Sequence, residues 1–381
     1  MNKKILILGA SELQLPAILC AKKLGIETIA VDYDPNATGI EYADKFYNVS
    51  TLDSEGVLNV AKIEKIDGIM TICTDRPMNV IASVGTQLGL NTISKETAYV
   101  ATNKAAMRKR LQEKNIPIPK FEIVKSKQDL NIKSKLFSIP FIIKPSDNSG
   151  SRGITLVNSM NQIKGAYEYA YENSNDGIVL LEEYMHGDEV SVEIFVSNKN
   201  PVVIRITDKI TTGPPHFVEM GHTQPSRLSI HLQNQIKEIA KKSVEALDIN
   251  LGPAHVEVKI TENGPKIVEL GARLGGDYIT TDLVELSTGF DMVKATVMCA
   301  LGIDEEIKCN FERASAIRYF EFNDHVNLNK EVISNIERMY INKLNVNEVI
   351  SSRDREAFFI LSADDLDELN KKIRIVENHI L

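Results

Sequence analysis

Glu257 in "HVEVKI" and Glu269 in "KIVEL" each interrupt an apolar run, and the turn sequence "TENGP" lies between them. That pattern folds the two runs into an antiparallel hairpin and brings two carboxylates to one place. Carboxylates among apolar residues are costly unless their charge is compensated, so a shared cation is expected. Hard oxygen ligands suit Mg²⁺ (or Mn²⁺) carried by a nucleotide. Arg273 follows Glu269 by four residues, and Gly275 and Gly276 then clear space for a ligand. Taken alone, the pair also fits two exposed glutamates on a hairpin.

A second stretch, "FIIKPSDNSGSRGITLV", ends an apolar run in Lys144 and continues through a Ser/Asn/Gly-rich turn into another apolar run. A P-loop places its lysine after the glycines and just before a helix, which is not the order here. If both flanks are strands, Lys144 sits beside a turn whose Gly150 and Gly153 tolerate unusual backbone angles. Its hydroxyls and backbone N–H groups can then close over phosphate oxygens. A plain surface hairpin fits the same residues. In "VLLEEYMHGDEVSVE" an apolar strand ends in Glu182, Glu183, Tyr184 and Met185, and Glu189 follows a turn later. Backbone at such a strand end can read an adenine edge, and the later carboxylate can accept from ribose hydroxyls. An exposed acidic turn is the competing reading.

The elements that must position these residues follow from periodicity. The chain starts "KKILILGA", "SELQLPAILCAKKLG", "IETIAVDYD", a strand, helix and strand. Further βα pieces follow at "ADKFYNV" and "IDGIMTICTD", and runs such as "GIMTICT" are apolar on both faces, as in a covered parallel sheet. Residues 1–101 are therefore expected to form a doubly wound, Rossmann-like α/β domain. The turn "GASELQ" lacks the full G-x-G-x-x-G pattern and reads as structural rather than as a dinucleotide site, despite Asp32 at the end of the second strand. A helix, "NKAAMRKRLQEKN", leads into strand-and-turn sequence that one amphipathic helix, "HLQNQIKEIAKKSVEAL", interrupts. The expected division is 102–310 for a two-lobed unit, with a boundary near 187, and 311–381 for a small C-terminal α+β domain.

At 381 residues the chain is long for one core, and its 43% hydrophobic and 25% charged content is that of a globular protein. A net charge of −8 and the lack of a basic stripe argue against nucleic-acid binding. No apolar run is long enough to span a membrane, and no signal-peptide pattern precedes the first strand. Cys20, Cys73 and Cys299 lie in apolar segments without CxxC pairing, and are expected as buried thiols in a reducing, cytoplasmic setting.

Together these motifs resemble the ATP-grasp ligases, in that family's order and over nearly the whole chain. The resemblance implies an ATP-grasp fold with the N-terminal α/β domain in front and the small C-terminal domain behind. It implies that Lys104 in "TNKAAM" and Lys144 contact nucleotide phosphates, and that "SDNSGSRG", with Ser146, Gly150, Ser151 and Gly153, is a flap over them. Glu182, Glu183, Tyr184 and Met185 match the adenine segment, Glu189 the ribose position, and Glu257 and Glu269 the magnesium carboxylates. Arg273 matches the arginine that steadies the transferring phosphoryl group. Much of the family has E-x-N-x-R where this chain has "ELGAR", so Gly271 replaces an asparagine; the L-amino acid ligase branch is similar in having a small residue there. The segment "DKITTGPPHFVEMGHTQPS" resembles the same branch, which implies a substrate pocket lined by His222, with Glu219 and Lys209 as further candidates. The implied reaction is ATP-dependent amide formation between a small-molecule carboxylic acid and an amine, through an acyl phosphate. A bicarbonate-using enzyme and a non-catalytic nucleotide-binding protein are the alternatives. The resemblance also allows a homodimer.

Overall fold

β1 (Lys4–Leu8) and β2 (Glu27–Asp32) bury nearly every side chain, which suits strands covered by helices on both faces. In the computed structural model, which describes residues 3–148, 152–214, 216–320, 336–341 and 349–380, they join β3 (Lys45–Asn48) and β4 (Gly68–Met70). The sheet is parallel, with order β3-β2-β1-β4. Helices α1 (Leu15–Lys23), α2 (Ser54–Glu64) and α3 (Met78–Leu88) follow β1, β3 and β4, the doubly wound pattern. Gln14 fills the first turn, donating from Nε2 to the Ile72 carbonyl at 3.1 Å, and Asp32 accepts from the Ala10 N–H at 2.8 Å.

Helices α4 (Lys95–Thr102) and α5 (Lys104–Glu113) lead to a second sheet. It holds β5 (Phe121–Val124), β6 (Phe141–Pro145), β7 (Thr155–Val157) and β8 (Val179–Glu183) in the order β5-β8-β6-β7. β6 and β7 pair antiparallel, Phe141 opposite Val157, so Lys144 does stand on a hairpin strand. Helices α6 (Lys127–Lys133) and α7 (Ile163–Glu172) pack on this sheet through Leu130, Ile163 and Tyr167.

Among the described residues, the largest sheet has eight strands in the order β13-β12-β9-β10-β11-β14-β16-β15. Its members are β9 (Glu189–Ser197), β10 (Asn200–Thr211), β11 (Glu219–Gln224), β12 (Gly252–Thr261), β13 (Gly264–Gly271), β14 (Ala314–Phe320), β15 (Arg338–Ile341) and β16 (Ala357–Ala363). Helices α8 (Ile230–Ala246), α9 (Val284–Thr288), α10 (Met292–Ala300) and α11 (Leu366–Ile380) are also among the described residues. β14 pairs with β11, Gly221 opposite Arg318, so one sheet runs across the division expected at 310/311. One buried cluster links Leu8 and Val31 of the first sheet, through Ala98, Met107 and Leu111, to Val192, Val256 and Leu270 of the third. The loop after β4 meets the residues just beyond β13 through Asp75, whose carboxylate lies 3.0 Å from Arg273 Nη2.

All four cysteines are free, but Cys20, Cys73 and Cys299 are partly rather than fully buried, which corrects the sequence expectation. Burial still pushes the Cys20 and Cys299 thiols up to about 11 and Cys73 to about 12. Among the described residues, no helix is long and apolar enough to cross a membrane.

Candidate active site

Glu257 on β12 stands directly opposite Glu269 on β13, as the hairpin pattern predicts. Both line a cavity of about 470 Å³ together with Asp75, Lys104, Asn148, His255 and Arg273. Protein cations compensate the two carboxylates. Lys104 Nζ lies 2.8 Å from Glu269, Lys209 Nζ lies 3.2 Å from Glu257, and His255 Nε2 lies 3.6 Å from Glu257. Burial works against the Glu257 charge, but Lys209 and His255 hold its carboxyl well below the usual range. Lys209 also touches Glu219 at 2.9 Å and Glu189 at 3.0 Å. Against the cost of burial, those three carboxylates hold its ammonium well above its ordinary value. Burial opposes the charge of His255 too, yet Glu193 at 2.9 Å and Glu257 raise it to about 9. Two hard oxygen donors facing each other across one cavity wall are a donor set that fits Mg²⁺.

Arg273 lines the same cavity, with its fork engaged. Asp75 accepts from Nε and Nη2 at 3.0 Å each, and the Leu274 carbonyl accepts from Nη1 at 3.1 Å. Gly271 has a steric cause: a Cβ there would lie 2.5 Å from Asp75 Oδ1. Gly275 does not clear space for a ligand, because a Cβ there would lie 2.7 Å from His255 Nδ1; the room beside it is taken by the His255–Glu193 pair. Gly276 does open on free space.

Lys104 opens α5, whose first turn is capped by Asn103 accepting from the Ala106 N–H at 3.0 Å. Its ammonium donates to the Asn148 carbonyl at 3.1 Å, at the base of the expected flap. Ser146 is tied down instead of free, its hydroxyl donating to Asp176 at 2.7 Å. Gly153 packs tightly, a Cβ there falling 2.8 Å from Asn173 Cβ, while Gly150 and Ser151 lie outside the described residues.

Lys144 does not line the cavity. Its ammonium is buried 2.7 Å from Glu182, which also takes Arg108 Nε at 2.8 Å. Burial would raise the Glu182 carboxyl, but Arg108 and Lys144 lower it to about 2. Within the expected adenine segment, then, the Glu182 side chain belongs to the interior. Glu183 accepts from the Lys120 N–H at 3.0 Å and pairs with Lys266 at 3.1 Å. The Tyr184 ring meets His186 edge-on with centroids 4.7 Å apart, and Met185 is half-buried beside it in the chain. Glu189 faces Lys209 and Lys259, at 3.0 and 3.5 Å.

His222 on β11 is fully buried, and neither ring nitrogen has a hydrogen-bond partner. Its Nε2 lies 3.8 Å from Glu219 and 3.6 Å from Asp277, both beyond hydrogen-bond reach. Asp277 in turn is held by Arg355 at 2.5 and 2.8 Å. Burial would raise the Asp277 carboxyl, but the Arg355 guanidinium holds it far below its usual value. Arg355 also stacks on the Tyr319 ring, 3.8 Å from its centroid. The predicted trio of Lys209, Glu219 and His222 is thus brought together, and Lys209 links it to Glu257.

Four participants escape a reading by motif. His255 shares a strand face with Glu257 at i, i+2, a signal that the alternation carries. Arg108 lies one helical turn beyond Lys104 on α5, which marks a common face. Asp75 follows a parallel strand, at the carboxyl end where α/β sheets place ligand-binding residues. Arg355 reaches Asp277 from 78 positions away, with no local signal.

Residues 137–282 match the family model described as an ATP-grasp domain. The chain is 27% identical over 260 residues to a formate-dependent phosphoribosylglycinamide formyltransferase of Methanocaldococcus jannaschii, covering 64% of this chain and 63% of that protein. It thus spans less than two thirds of that relative's length. Among solved structures it is similar to an L-amino acid ligase from Bacillus licheniformis, with a TM-score of 0.84 and 20% identity, covering 100% of this chain and 98% of the other. A phosphoribosylglycinamide synthetase from Anaerococcus prevotii gives a TM-score of 0.79 and 22% identity, covering 100% and 99%. The fold over the whole chain is the ATP-grasp fold.

Proposed function

We propose that this ATP-grasp chain joins a carboxylic acid to an amine at the expense of ATP, through an acyl phosphate. One observation carries the reading: opposed carboxylates, a lysine and an arginine converge on one cavity, with Glu257, Glu269, Lys104 and Arg273 all in its wall. An acidic pair beside fixed cations is what a polyphosphate and its counter-ion require. Glu257 and Glu269 would hold Mg²⁺, which when bound supplies charge neutralisation on the phosphates.

The chain's own groups supply positioning and electrostatics, the main contributions in phosphoryl transfer. Lys104, at the start of a helix, offers its ammonium and the positive end of the helix dipole to phosphate oxygens. A substrate carboxylate oxygen attacks the γ-phosphorus, ADP leaves, and Arg273 offsets charge on the transferred group. The amine then attacks the acyl carbon, and phosphate departs with the former carboxylate oxygen. The cluster of Glu219, His222 and Asp277 is the natural place for the polar groups of the acid or amine. The unpartnered ring nitrogens of His222 support this, because a buried polar atom left unpaired is costly until a ligand satisfies it.

The test is phosphate release in matched reactions with Mg²⁺: ATP alone, with candidate acids, with acid plus amine, and with bicarbonate. The expected result is release that requires an organic acid and rises further with an amine. Release driven by bicarbonate alone, with no response to any organic acid, would reject amide ligation in favour of a carboxylating reaction.

A further inference from the structure

Glu269 and Gly271 occupy alternate positions of β13, Arg273 continues the row, and all three line the cavity. The middle position lacks a side chain, yet its place is filled. A Cβ on residue 271 would lie 2.5 Å from Asp75 Oδ1 and 3.1 Å from Arg273 Nε. Asp75 arrives from a different sheet, on the loop between β4 and α3. Its two oxygens take Nε and Nη2 of Arg273, and the Leu274 carbonyl takes Nη1. Three of the five guanidinium N–H groups are thereby fixed, which leaves one on each terminal nitrogen. A two-pronged pair of this kind sets the plane of the guanidinium as well as its position.

We propose that Asp75 is the positioning residue for Arg273: from the N-terminal sheet it occupies the space left by the side chain absent at Gly271, and it fixes the guanidinium plane with the two remaining N–H groups available to the cavity. The inference rests on the ligase reading for what Arg273 acts upon. It adds that the arginine is in place only while the N-terminal sheet is docked. The glycine follows from the same geometry, since any side chain at 271 would drive the carboxylate off the arginine.

A double-mutant cycle tests it, with Asp75→Ala, Gly271→Asn and the two combined, each checked for folding by thermal melting. Phenylglyoxal modification of Arg273, followed by peptide mass, reads the pairing without reference to activity. Modification is expected to be several-fold faster in either single variant, and to return toward the wild-type rate in the double variant, where an amide replaces the carboxylate. Acid-dependent phosphate release is the second readout. Asp75→Ala should lower kcat on the order of 10- to 100-fold, the scale of a misplaced catalytic group, while the KM for ATP stays within about twofold. The double variant should recover part of that loss. Equal modification rates in wild type and Asp75→Ala, or an unchanged kcat, would overturn the proposal. So would a folded double variant no better than Asp75→Ala in either readout. A wild type that releases no phosphate with any acid would defeat the ligase reading instead, and the modification rates would then decide the Asp75–Arg273 pairing by themselves.

Discussion

Glu182, Lys144 and Arg108 show how this chain handles charge one residue at a time: each buried ion has a partner within hydrogen-bond distance. Breaking such a set leaves cations without compensation, and Glu182→Gln should cost about 3–5 kcal/mol of stability near neutral pH. The folded carboxyl lies at about 2, below its ordinary 4.5. Its contribution is therefore complete above pH 4.5 and is lost as pH falls toward 2. Chemical denaturation should show a constant gap between wild type and Glu182→Gln from pH 8 to 6, and a shrinking gap below 4.5. A gap that widens in acid would contradict the pairing. Much of this scale was legible in the sequence. Glu257 and Glu269 announced themselves by interrupting apolar runs, and their register is as the hairpin implied. What compensates them was not legible as lysine and histidine, because Lys209 and His255 reach Glu257 through tertiary placement.

At the scale of elements, the strands that carry the site follow their alternation closely, while several helices are harder to read from their pattern. α3 buries Met78, Val80, Ile81, Ala82, Val84 and Gly85 and leaves Asn79, Thr86 and Gln87 exposed on one face, a 3.6-residue period that a helix of 11 residues shows over only about three turns. α10 is buried in the same way, and α7 reads "IKGAYEYAYE", whose alternating tyrosines imitate a strand. Gly187, in the turn between β8 and β9, is a position where backbone alone decides. It adopts φ +125°, and a Cβ would fall 1.8 Å from the Ile260 carbonyl oxygen. Gly187→Ala should therefore destabilise by about 3 kcal/mol or more, read as a lower urea midpoint, because strain and a backbone clash coincide. A midpoint equal to wild type would mean that the turn is not held against β12.

At the scale of the whole molecule, the site exists because three sheets meet. The loop after the N-terminal sheet supplies Asp75, the second sheet leads into Asn148, α5 supplies Lys104, and the eight-stranded sheet supplies the carboxylates and leads into Arg273. The order of these parts was legible from motifs, but their joining was not. β11 pairs with β14, and the Arg318 side chain donates to the His222 carbonyl from 96 positions away, a contact that no local pattern encodes. Arg355 reaches Asp277 by the same long-range docking of the C-terminal strands. Loss of one cavity carboxylate should therefore disable the chemistry without unfolding the chain: Glu269→Gln should cut ADP formation on the order of 10²-fold or more while thermal melting stays close to wild type. Near-normal ADP formation would remove Glu269 from the metal site. The central claim, that a carboxylate oxygen attacks ATP in this cavity, is tested most directly by isotope transfer. With an acid substrate found in the phosphate-release assay and labelled with ¹⁸O in its carboxylate, one labelled oxygen should appear in each inorganic phosphate released during amide formation; amide product accompanied by phosphate without label would contradict the acyl-phosphate mechanism.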